Sequence, residues 1–120
     1  MPHQPKKYEL KGLDGISENQ ISQHRDILYA GYVNKLNEIE ERLKGVDVSK
    51  ANQIFSDLRA LKADETFALN GVVLHELYFE NLGGKGVIPK GRLGDLIVKE
   101  FGSFDKWAEN FRACGLCARG

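Results

Sequence analysis

The segment SENQISQHRDILYAGYVNKLNEIEERLK, residues 17 to 44, decides the fold. Its apolar members Ile21, Leu28, Tyr32, Leu36, Ile39 and Leu43 advance in steps of three and four once His24 fills the one missing slot. That is the pattern of a single buried helix face, and it predicts that His24 points inward. The stretch from about Asp64 to Leu82 repeats the arrangement with Phe67, Ala68, Gly71, Val72, His75, Tyr78, Phe79 and Leu82, so His75 is expected to point inward too. Two neutral imidazoles facing each other between helices make half of a transition-metal site. The plainer reading is a pair of core histidines whose ring N–H groups find carbonyls. Periodicity alone leaves both readings open.

The flanking residues punctuate the helices. Ser17-Glu18-Asn19-Gln20 offers a capping box, and Gly45 stops the first long helix behind Arg42 and Lys44, whose charges suit the negative end of its dipole. Residues 46 to 63 read as a shorter amphipathic segment with Ile54, Phe55, Leu58 and Leu61 at helical spacing, and Asp64 as the cap of the second long helix. That helix ends at Asn81-Leu82-Gly83-Gly84. Gly83-Gly84-Lys85-Gly86-Val87-Ile88-Pro89 then reads as a loop. No strand precedes it and no Gly-Lys-Ser or Gly-Lys-Thr follows, so it is not a phosphate-cradling loop. Two further helices fit Leu93 to Phe101 and Ser103 to about Cys114, separated by Gly102 with Ser103 as cap. No strand pattern occurs, and the expectation is an all-α chain: a long antiparallel helical hairpin followed by shorter helices. Residues 1 to 16, with two prolines and two glycines, are expected to form an extended lead-in.

Composition narrows the function. The chain has 120 residues, enough for one small domain and its core, and 17 basic residues balance 17 acidic ones. No broad positive field exists to hold a nucleic-acid backbone, and no basic amphipathic stripe to hold a membrane surface. The start, Met1-Pro2-His3-Gln4-Pro5-Lys6-Lys7, shows no secretory pattern, and no window is apolar for the length of a bilayer. A cytoplasmic protein is expected. The two cysteines, Cys114 and Cys117, sit together at one end, which argues against an extracellular disulfide framework. No second pair and no nearby histidine accompanies them, so they read as small packing residues. Glu76 and Glu80 read as solvated surface charges, and His3 as an exposed residue between prolines.

Three blocks resemble the iron/manganese superoxide dismutases. His24 to Asn37, and within it Gly31-Tyr32-Val33-Asn34-Lys35-Leu36-Asn37, is similar to the first metal-ligand helix of that family. Asn70 to Gly84 looks like the second ligand helix, and Phe101-Gly102-Ser103-Phe104-Asp105-Lys106-Trp107 resembles the opening of the family's second domain. The resemblance implies that residues 1–84 are the helical-hairpin domain and 85–120 the loop and first helices of a truncated C-terminal domain. It implies an iron or manganese ion held by His24 and His75, with Tyr32 as the phenol at the mouth of the substrate funnel. The implied reaction converts superoxide to oxygen and hydrogen peroxide, in a homodimer. The alternative is a catalytically inactive helical interaction module that keeps the scaffold.

The chain also departs from the family pattern. The family's remaining ligands, an aspartate and a third histidine, come from an Asp-X-Trp-Glu-His motif that these 120 residues do not contain. Leu28 stands where the family often has histidine and Phe79 where it commonly has tryptophan. The two positions that can carry the family's outer-sphere glutamine correspond to Gly71 and Arg119, and an arginine adds a fixed charge without accepting a hydrogen bond.

Overall fold

The computed structural model describes residues 1–118. A short helix α1 (Glu18–Ser22) widens into a π-helical turn (Gln23–Tyr29) and continues as α2 (Ala30–Lys44). A 3₁₀ turn (Val48–Lys50) leads to α3 (Asp57–Glu80), and α4 (Gly91–Phe101) and α5 (Phe104–Cys117) follow. Among the described residues there is no strand, so the all-α expectation holds. The chain divides into two compact units, Met1–Gly83 and the residues from Gly84 onward.

Within the first unit, the Ser17 hydroxyl accepts from the Gln20 N–H at 3.1 Å and starts α1. Only this serine half of the expected capping box is made among the described residues. The path then leaves α-helical register. The Ala30 N–H reaches back to the Arg25 carbonyl, five residues away, which is the π-type bond. A π turn holds about one extra residue, so the face that begins at Ile21 and His24 arrives at Tyr29, not at Leu28. Tyr29 is 0% exposed and Leu28 56% exposed, which corrects the expected stripe at that position. Tyr29, Val33 and Leu36 then pack against Ala68, Val72 and Phe79 of α3 to form the core.

The start of α3 also differs from the expectation. Ser56, buried, accepts from the Arg59 N–H at 3.2 Å and donates to the Asn52 carbonyl at the same distance, so it, and not the helix-internal Asp64, caps the helix. The Asn52 side-chain oxygen accepts from the Ile54 N–H and holds the preceding residues in a turn. Ile54 and Phe55 are left 82% and 79% exposed, while Leu61 joins the buried face of α3. The spacing of Leu61, Ala68, Val72 and Phe79 runs straight through this helix with no break.

The lead-in has no helix, as expected, but it is not loose. The His3 N–H donates to Asn37 Oδ1 at 2.7 Å, and Asn37 Nδ2 returns a bond to the His3 carbonyl. His3 Nε2 lies 3.0 Å from Glu40, so the exposed His3 is nevertheless engaged. Tyr8 and Leu10 pack against the hairpin core, and Arg25 Nη1 donates to the Tyr8 carbonyl at 2.8 Å.

In the second unit, Gly94 lets α4 fold close to the loop before it, because a Cβ there would sit 2.6 Å from the Pro89 carbonyl oxygen. Gly102, at φ 86°, makes the turn out of α4, and the Ser103 hydroxyl caps α5 by accepting from the Lys106 N–H. Phe104, Trp107 and Phe111 stack along one side of α5.

Candidate metal centre

His24 leaves the π turn and His75 leaves the regular helix α3, and their ring centres meet at 4.9 Å with planes 79° apart. A metal–nitrogen bond of about 2.1 Å places an imidazole centre roughly 3.2 Å from the ion, so two rings gripping one ion have centres roughly 4.5–5 Å apart. The observed separation fits. His75 Nδ1 lies 2.6 Å from the Gly71 carbonyl oxygen. A carbonyl only accepts, so Nδ1 carries the proton and Nε2 keeps its lone pair. Burial, and after it the charge of His75, pushes the His24 imidazole below its ordinary pKa and favours the neutral, donor-competent form.

An aromatic shell surrounds the pair. Tyr32 tilts over His75 at 5.1 Å, Tyr29 stacks beside it at 6.1 Å, and Tyr78 and Phe79 lie 5.0 and 5.2 Å from His24. Tyr32, one turn past Leu28, also touches Phe67 and lines an open groove of about 530 Å³ with Leu28, Gly31 and Phe67. Its ring rests directly on Gly71, where a Cβ would come within 2.3 Å of it. A glutamine at position 71 therefore has no room while Tyr32 stays where it is. Arg119, the other position considered for that glutamine, lies outside the described residues. Among the described residues no group of three or more His, Cys, Asp or Glu side chains converges to hold an ion. The imidazole pair supplies two nitrogen donors suited to iron or manganese, and needs others to complete a coordination sphere.

Glu76 corrects the sequence reading. It is not a solvated surface charge: its side chain is 20% exposed, and it accepts from the Tyr29 hydroxyl at 2.9 Å and pairs with Lys6 at 2.5 Å. Burial raises its pKa, yet the hydrogen bonds from Lys6 and Tyr29 outweigh that and hold it below the ordinary carboxylate value. The Tyr29 hydroxyl in turn accepts from the Lys6 backbone N–H at 2.9 Å. Glu80, half exposed, pairs with Lys6 at 3.4 Å and is the surface charge expected. Sequence counting missed this network because Tyr29 lay off the predicted stripe and Lys6 lay in the lead-in. Tyr8 sits beside it, against Tyr29 and Phe79, with its hydroxyl buried and unpartnered among the described residues.

An all-α hairpin with one inward histidine on each long helix matches the family profile described as iron/manganese superoxide dismutases, alpha-hairpin domain, over residues 4–83. The chain belongs to that family. It is 45% identical to the iron superoxide dismutase of Aquifex aeolicus, in a match covering 98% of this chain and 57% of the relative. Identity to the iron superoxide dismutase of Aquifex pyrophilus is also 45%, covering 92% and 54%, respectively. A manganese superoxide dismutase of Haloferax volcanii is 34% identical, over 97% of this chain and 58% of its own length. The chain thus spans a little over half the length of these relatives. Among the described residues no helix is long and apolar enough to cross a membrane.

Proposed function

We propose that this chain supplies the helical-hairpin part of an iron- or manganese-dependent superoxide dismutase, with His24 and His75 as two of the metal ligands. Residues 1–84 are then the hairpin domain and 85–120 the loop and first helices of the C-terminal domain. The substrate is superoxide, and the working form is a cytoplasmic homodimer. The observation that carries this reading is the facing imidazole pair, with the far nitrogen of His75 freed by its bond to the Gly71 carbonyl.

The bound ion would supply one-electron chemistry, accepting an electron from one superoxide and returning it to the next. The protein's own contribution is positional. The Gly71 carbonyl fixes the tautomer and plane of His75. Tyr29, Tyr78 and Phe79 exclude bulk water from the imidazoles. Tyr32, over His75 and open to the groove, is the residue placed to hold a proton at its hydroxyl beside incoming superoxide.

Superoxide removal by the longest product of the gene, with His75→Ala as control, tests the proposal. We expect removal to fall to background in the variant, and iron or manganese to bind the 120-residue chain only weakly. Equal activity in both proteins would remove the metal assignment and favour the inactive interaction module.

A further inference from the structure

We infer that Cys114 and Cys117 form a reversible dithiol–disulfide couple closed across the last turn of α5. Both thiols are free and exposed, so they are not the packing residues that the sequence suggested. Both lie in the α-helix, three residues apart and on one side of it. Helix geometry places their Cα atoms about 5 Å apart, from a rise of about 1.5 Å and a turn of about 100° per residue. A disulfide needs a Cα separation of about 4.4–6.8 Å, which this pair meets, and a Cβ separation of about 3.5–4.5 Å against the about 5–6 Å of neighbours on a helix face, so the last turn must tighten by roughly 1–2 Å for the bond to close. The turn is already held shut by the Ala118 N–H bonding the Cys114 carbonyl at 3.0 Å.

The surroundings favour adjustment. Of the two residues between the thiols, Gly115 has open space where a Cβ would stand and Leu116 is 89% exposed, so neither is locked in place by packing. A glycine in the last turn also loosens it by about 1 kcal/mol relative to alanine, which eases the small dihedral change that bond formation requires. The Cys114 thiol leans on Asn110 Oδ1 at 3.7 Å, a weak contact that costs little to give up.

The oxidant class is a small disulfide such as glutathione disulfide. One cysteine thiolate attacks a sulfur of that disulfide and expels a glutathione thiolate, leaving a mixed disulfide on the chain. The second cysteine, as thiolate, attacks the protein-side sulfur, forms the Cys114–Cys117 bond and releases the second glutathione thiolate. Two thiol protons pass to solvent or to the departing glutathiones, and the chain is oxidised by two electrons as one glutathione disulfide is reduced. The inference stands apart from the metal reading, because neither metal nor superoxide enters it.

The test equilibrates the metal-free reduced chain with graded mixtures of glutathione and its disulfide, blocks remaining thiols with N-ethylmaleimide and weighs the intact product. We expect a single transition to a species lighter by two hydrogens, carrying neither maleimide nor glutathione. Its fraction should not change when the protein concentration is varied tenfold. Cys114→Ser and Cys117→Ser should each accumulate the mixed glutathione disulfide instead. A parent chain that ends doubly glutathionylated, that dimerises in a concentration-dependent way, or that stays doubly alkylated throughout overturns the inference.

Discussion

The two histidines reach the same seam by different routes. His75 rides on α3, a regular helix of 24 residues whose buried face advances without interruption. His24 sits in the seven-residue π turn that joins α1 to α2, where the backbone changes pitch. On α3 a side chain's direction follows from its place in the count. In the π turn it follows from which carbonyl each N–H selects, and one added residue per turn moves the inward position from Leu28 to Tyr29. π turns of this kind occur often at functional sites.

Inserting an alanine after Ile27, a 58% exposed residue of that turn, breaks the contrast most severely. The π turn already holds its one extra residue, so a further one would rotate His24 by about 100° relative to α2. We expect iron or manganese affinity of the longest product to drop on the order of a hundredfold or more, at or beyond the loss usual for outer-shell changes. Unchanged affinity would mean that the turn absorbs a further residue without turning His24 away.

On the α3 side, Gly71→Ala should destabilise the hairpin by about 1–3 kcal/mol, because its Cβ enters the space of the Tyr32 ring. Urea unfolding of the 120-residue chain measures this, and a loss under about 0.5 kcal/mol would mean the ring swings away freely.

Tyr29→Phe sharpens the comparison on the α1–α2 side. It strips a partner from Glu76 and from the Lys6 N–H, and should cost about 1–3 kcal/mol. Its sequence neighbour Leu28→Ala, on the exposed side, should stay within about 0.5 kcal/mol. Equal losses would contradict the π-shifted face.

The smallest effect is one of pH. The His24 pKa is depressed in the folded chain, so as pH falls past the ordinary value of 6.5 the unfolded chain takes up its proton first. Stability of the metal-free chain is therefore complete above that pH and declines below it, until folded His24 itself protonates. Unfolding free energies measured from about pH 7.5 down to about pH 5, which brackets the ordinary histidine range, should slope in this way, and His24→Gln should flatten the slope.

How far the sequence could be read follows from the same contrast. The hairpin, both inward histidines, the end of α3 and the Ser103 cap are set by local spacing and capping chemistry, and all four are visible to a residue count. The π turn is not, since its register depends on tertiary packing of Tyr29 under the lead-in. The start of α3 was misplaced because Asp64 and Ser56 are both competent caps, and the Asn52 turn that selects Ser56 is a bond between side chain and backbone. Glu76 could have been suspected only by noticing that the residue after His75 faces α1–α2 when Tyr29 does.

The lead-in is tied to residues far along the chain, His3 to Asn37 and Glu40, Lys6 to Tyr29, Glu76 and Glu80. The ribosome makes it before either long helix, yet its anchors on α3 are made some seventy residues later. What emerges earlier is thus placed later, as a latch drawn over a hairpin that must already have closed.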